Sequence, residues 1–112
     1  MKNQGNYFRL IPGNKVLQVA SPAFDAIISE IFVTIWSGAQ LRVVSVEDNL
    51  LVPTLSMLLA VELVDLITLT PSVAQKLKPE LLFNVKTLVL VGEMIDPAWI
   101  KVFVGKVRMI NA

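Results

Sequence analysis

Five short runs rich in β-branched and other apolar residues, at 15–20, 41–45, 64–69, 87–91 and 107–111, alternate with longer stretches of helical period. This alternation constrains the fold most, because strands that exchange with helices mark βα units and a parallel sheet. The runs are almost continuously apolar, as strands covered on both faces should be. The spacing predicts a first helix over 23–37, with Ser21 and Pro22 at its opening and Gly38 as its stop. On that segment Phe24, Ile27, Ile28, Ile31, Phe32 and Ile35 recur at helical spacing and should face the sheet. A second helix is expected over 51–61, a third from Thr70 and Pro71 to about 77, and a fourth from Asp96 and Pro97 to about 104, where Gly105 ends it. In the last two, a cap residue precedes a proline whose missing N–H is harmless in a first turn.

Five strands with four helical crossovers imply a three-layer α/β sandwich around a five-stranded parallel sheet. Right-handed crossovers leave few topologies, and the flavodoxin-like order 2-1-3-4-5 is the simplest. No repeat, low-complexity segment or linker divides the 112 residues, so a single domain over 1–112 is expected. Sheets of this kind bind ligands beyond the carboxyl ends of their strands, near the point where strand order reverses. Those ends carry 20–25, 68–71, 91–93, Asn111 and Ala112.

The bulk numbers narrow the function classes. Hydrophobic residues make up 54% and charged residues 17%, against about a quarter charged in an ordinary soluble domain. A small free domain has proportionally more surface to cover with polar groups. The surplus therefore predicts a contiguous apolar patch, self-association, or burial against a neighbour. A net charge of +1 with scattered basic residues argues against nucleic acid. Residues 50–69 approach the length of a membrane span, but Pro53, Glu62 and Asp65 interrupt them, so a helix followed by a strand is expected instead. Residues 1–6 lack the apolar core of a signal peptide, and the absence of Cys fits a cytoplasmic protein.

Most catalytic devices are missing. The chain has no phosphate loop of the G-x-x-x-x-G-K-[ST] type, no dinucleotide fingerprint, no nucleophile elbow and no metalloprotease motif. With neither Cys nor His, it lacks thiolate chemistry and the usual zinc ligands. Taken alone, Asp25 reads as a first-turn carboxylate favoured by the helix macrodipole. Ser29 lies one turn further on the same helix face and reads as an ordinary helix serine. Val89 and Val91, two apart and so on one strand face, read as core. Asn111 reads as a turn-former and Glu93 as a solvated loop acid.

Four segments in order carry a resemblance. They are Ala20-Ser21-Pro22-Ala23-Phe24-Asp25-Ala26 with Ser29 to Phe32 and Ser37-Gly38-Ala39; Ile67-Thr68-Leu69-Thr70-Pro71-Ser72; Thr87-Leu88-Val89-Leu90-Val91-Gly92-Glu93; and Ile110-Asn111-Ala112. Together, at matching spacing, they resemble the amino-acid adenylation domain of nonribosomal peptide synthetases, in its flavodoxin-like, substrate-selecting subdomain. Phe8-Arg9-Leu10 to Gln18 resembles the segment leading into the first motif. Enzymes of this family use ATP and magnesium to convert an amino acid to an aminoacyl adenylate. They then load it onto the phosphopantetheine thiol of a carrier protein.

The resemblance implies that Asp25 pairs with the α-ammonium group of the substrate. It places Ala26, Ser29, Thr68, Val89, Val91 and Ala112 around the side-chain pocket, and Gly92 and Asn111 beside the adenine. Of these positions Asp25, Thr68, Val91, Gly92, Asn111 and Ala112 fall among the strand ends singled out by topology alone. An ammonium entering an apolar pocket needs a fixed anion, since an unpaired buried charge is very costly.

The family's Ser/Thr/Gly-rich phosphate loop, its ribose-binding aspartate and its adenylate-forming lysine have no counterpart in these 112 residues. The segment alone is therefore expected to be inactive and to hold no cofactor, with the remaining subdomains and a carrier protein as its partners. Ile27 replaces a residue that is usually small, and Thr70 stands where proline is common. Small Ser29 and bulkier Val91, with Ala26, Thr68 and Ala112, point to a neutral, fairly large substrate such as tyrosine. The rival expectation is a non-catalytic interaction or scaffold module that retains the fold.

Overall fold

A computed structural model of the chain describes residues 11–19, 38–92 and 94–111. Its strands are β1 (Lys15–Val19), β2 (Gln40–Val44), β3 (Leu66–Leu69), β4 (Thr87–Leu90) and β5 (Arg108–Asn111). Between β2 and β3 runs α1 (Asp48–Val61); α2 (Pro71–Lys76) and α3 (Pro79–Leu82) follow β3. After β4 come α4 (Pro97–Ile100) and a 3-10 turn over Lys101–Phe103. The five strands form one sheet in the order β2-β1-β3-β4-β5, and every pairing is parallel. The flavodoxin-like order expected from the alternation is the one adopted. The predicted helix over 23–37 lies outside the described residues.

Element boundaries shift for local reasons. Strand β2 begins one residue early because the Gln40 N–H donates to the Asn14 carbonyl at 2.7 Å. Strand β3 begins late because Asp65 ties strand ends together. Its carboxylate accepts the Lys15 N–H at 2.8 Å and meets the Lys86 ammonium at 3.3 Å. Its backbone also donates to the Lys15 carbonyl and accepts from the Thr87 N–H, both at 2.9 Å.

Helix α1 starts three residues before the expected 51, so Pro53 falls inside the helix rather than in its first turn. There its missing N–H leaves the Asn49 carbonyl without the usual helical donor. The short α3 was not expected from the sequence. Its signal is Pro79 at the first helical position with Glu80 in the first turn. The predicted fourth helix is split into α4 and the 3-10 turn. Asp96 caps it as expected, its carboxylate accepting the Ala98 N–H at 2.9 Å, and Gly105 follows in the left-handed region at φ 79°.

Alternation along the strands divides the core. Leu17, Val19, Ile67, Leu69, Leu88 and Leu90 pack with Leu55, Leu58 and Leu59 of α1, Ala74 of α2, Leu82 of α3, and Phe103. Phe103 is fully buried, edge-on to Phe83 at 5.5 Å between ring centres and tilted against Trp99 at 4.6 Å. Val16, Leu66, Val89 and Ile110 form a second cluster on the opposite face. By the same alternation, the buried polar residues Gln18, Thr68 and Thr87 belong to that second face.

The central strands match the expectation of continuous burial, but β2 does not. Gln40, Arg42 and Val43 are exposed, because β2 is an edge strand with a neighbour on one side only. Among the described residues no helix is long and apolar enough to cross a membrane. Residues 50–69 are instead the body of α1, a short connection and β3.

Candidate functional site at the strand ends

Parallel pairing brings the carboxyl ends of β1, β3, β4 and β5 to one edge of the sheet. The register there is direct. Gln18 stands opposite Thr68, Thr68 opposite Val89, and Val89 opposite Ile110. One straight row therefore crosses four strands on one face. Thr68 and Val89, two of the expected pocket residues, are both fully buried in it. Adjacent strands in a sheet are about 4.8 Å apart, so the two side chains share one small patch of floor.

Val91 departs from the expected arrangement. Strand β4 ends at Leu90, and Val91 packs with the cluster that holds Leu69 and Leu90 rather than with Val89. Strict alternation lasts only as long as the ladder does. The Val91 N–H still donates to the Leu69 carbonyl at 3.0 Å, which holds this residue against the end of β3.

Gly92 follows with φ 86°, and a side chain built there would meet nothing within 4 Å. The backbone at the end of β4 is thus exposed to solvent, in a conformation that favours glycine. Asn111 is the last residue of β5 and is paired with Leu90. Of the expected site residues, Asp25, Ala26, Ser29 and Ala112 lie outside the described residues, as does Glu93.

Thr70 caps α2 in extended backbone without a side-chain capping bond, and its hydroxyl lies 3.4 Å from that of Ser72. Among the described residues no three His, Cys, Asp or Glu side chains gather as a metal site. A cavity of about 140 Å³ lies at the amino ends of the strands, between Lys15, Leu41, Arg42 and Glu62, with Arg42 and Glu62 ion-paired across it. Its lining includes Val16 and Leu17 of β1 but none of Gln18, Thr68, Val89 and Ile110. Gln18 is a single buried amide in an otherwise apolar stretch, Val16-Leu17-Gln18-Val19.

Five parallel strands in this order, packed by helices, define an α/β protein of the flavodoxin-like class. The crystal structure of CmiS6 has the same fold, with a TM-score of 0.69 at 20% identity, over 98% of this chain and 29% of that one. FR901469 synthetase of Dothideomycetidae sp. (strain 11243) is 33% identical over 105 residues, covering 94% of this chain and 1% of that protein. Nonribosomal peptide synthetase ecdA of Aspergillus rugulosus is 33% identical over 112 residues, all of this chain and 2% of that protein. No family model matches the chain. Similar to these two proteins over 94% and 100% of its own length, the chain is related to nonribosomal peptide synthetases and spans 1–2% of the length of these two relatives.

Proposed function

We propose that the chain is the amino-acid-selecting subdomain of an adenylation domain, holding part of the pocket in which an amino acid is converted to its adenylate. The observation that carries this reading is the buried in-register pair of Thr68 and Val89 at the carboxyl ends of β3 and β4. Topology alone singles out that edge of the sheet as the ligand edge. The four motif segments supply the same two residues independently.

In this reading Asp25 meets the substrate ammonium, and Ala26, Ser29, Thr68, Val89 and Ala112 surround its side chain, whereas Val91 packs on the other face of the sheet. Gly92 suits the adenine contact, because its open, left-handed backbone lets a flat ring approach closely; Asn111 ends the neighbouring strand. ATP and magnesium belong to the complete enzyme, where ATP would supply the adenylyl group, with pyrophosphate as the leaving group, and magnesium would neutralise the phosphate charge. The other synthetase domains and a phosphopantetheine-bearing carrier protein are the partners. This chain contributes recognition, namely a fixed anion for the ammonium and a shaped, largely apolar wall for the side chain.

Titration with non-hydrolysable aminoacyl-adenylate analogues, followed by NMR, tests the reading. Saturable shifts at Thr68 and Val89 that disappear in Asp25→Ala support a selecting pocket. A chain that binds no analogue is a scaffold that has kept only the fold.

A further inference from the structure

Helix α1 has no polar outer face. Its buried side carries Leu55, Leu58 and Leu59. Beyond Asp48 and Asn49 in its first turn, every exposed residue of the helix is apolar: Leu50, Pro53, Met57, Ala60 and Val61. They recur at steps of three and four, so they form one stripe along the outside of the helix. Asp48 is the only charged residue among its 14. A surface helix ordinarily turns charged and polar residues to solvent, and a helix apolar all round is buried. The stripe therefore calls for a cover, and its spacing suits a second helix.

The two ends of the stripe differ in charge and shape. At the amino end stand Glu47 and Asp48, both exposed, with Leu50 projecting just beyond. At the carboxyl end Val61 and Leu63 line an open groove of about 480 Å³ with Gly13, Lys15, Glu62 and Asp65. Arg42 reaches this end through its ion pair with Glu62, and Lys86 through Asp65. Lys15, Arg42 and Lys86 outnumber Glu62 and Asp65 there, so this end is net positive.

We propose that this face is an interface with a second copy of the chain, the two α1 helices packed antiparallel across a twofold axis near Met57. A twofold contact uses the same patch on both copies, and this patch is complementary to itself. Antiparallel packing sets Leu50 of each copy against Val61 and the groove of the other, and brings Glu47 and Asp48 to the net positive end. It also opposes the two helix macrodipoles. A parallel pair would instead crowd Glu47 and Asp48 of both copies together, and juxtaposed like charges are unfavourable. The proposal is independent of the selecting pocket, since α1 packs on the face of the sheet opposite Val89.

The chain has no Cys, so single cysteines introduced into it report contacts cleanly. A disulfide needs Cα atoms within about 7 Å of each other. Met57→Cys should therefore form a covalent dimer under mild oxidation far faster than Gln75→Cys, which lies exposed on α2. Mixed Leu50→Cys and Val61→Cys chains should link to each other more readily than either links to itself. In sedimentation velocity a dimer should be the first associated species. Met57→Lys, at an exposed position, should raise its dissociation constant by about tenfold or more. A monomer at every concentration overturns the proposal and leaves the stripe to another part of a synthetase. Equal linking rates for Met57→Cys and Gln75→Cys overturn it too, as does self-linking of Leu50→Cys that outpaces the mixed pair.

Discussion

Thr68 on β3 stands directly opposite Val89 on β4, both fully buried and both facing away from the core that the helices cover. The pair links sheet register to recognition. A one-residue slip between these strands would move one of the two to the opposite face. Register here is held by the ladder from Leu66 paired with Thr87 to Leu69 paired with Leu90. It is secured at the amino end by Asp65, which bonds to both Lys15 and Thr87.

Thr68→Val removes a hydroxyl from a fully buried side chain of nearly the same shape. Thr68 makes an interaction of its own, so the chain should lose about 1 kcal/mol of stability. Urea denaturation measures this. A neutral or stabilising result would mean that the Thr68 hydroxyl contributes nothing to the folded chain.

Asp25 is expected to act through charge. The chain alone should show no amino-acid-dependent ATP–pyrophosphate exchange, since stabilising the transferring phosphates is usually the largest catalytic contribution. Grafted into a complete adenylation domain, the segment should carry its own selectivity with it. Asp25→Ala in that graft should then cost about 2–5 kcal/mol, roughly a thirtyfold to several-thousandfold loss of exchange activity. Normal activation by the Asp25→Ala graft would mean that Asp25 does not meet the substrate.

Phe103 anchors the connection between β4 and β5. It is fully buried and packed against both Phe83 and Trp99. Phe103→Ala should destabilise the chain by about 3–5 kcal/mol, read as a fall in the denaturation midpoint. A change below about 1 kcal/mol would show that this end of the sheet repacks around the lost ring.

The surface of α1 should make the isolated chain associate. Met57 and Val61, one turn apart, are 60% and 75% exposed, and Leu63 just beyond the helix is 81% exposed. The exposed edge strand β2 presents Val43 as well. Clustered apolar surface and open strand edges favour association in a way that single apolar residues do not. Sedimentation velocity over a wide concentration range should show growing oligomers, reduced by Met57→Lys with Val61→Lys. A monomer at every concentration would show that the segment stands as a self-contained unit.

The apolar runs at β1, β3 and β4 were legible as strands because a parallel sheet buries both faces of its central members, and burial leaves its mark on every residue. Those runs and the intervening helical spacing implied the order β2-β1-β3-β4-β5, since right-handed crossovers leave few alternatives. Proline after a cap residue marked the openings of α2 and α4 for a local reason that needs no tertiary contact. The family was legible from four short segments in order. Thr68 and Val89 could be named from them, with no information on how closely they stand.

Tertiary structure decided the rest. Exposure of β2 follows from its place at the edge of the sheet, which its composition does not distinguish from a central strand. Val91 parted from Val89 because the ladder stops at Leu90, and the end of a ladder depends on the partner strand. Gln18 was placed in the same way. In sequence it is one amide in an apolar run, and only lateral pairing sets it beside Thr68 with its oxygen unpaired. Local propensity and apolar period are written along the chain, whereas register, edges and unpaired atoms arise between strands far apart in sequence.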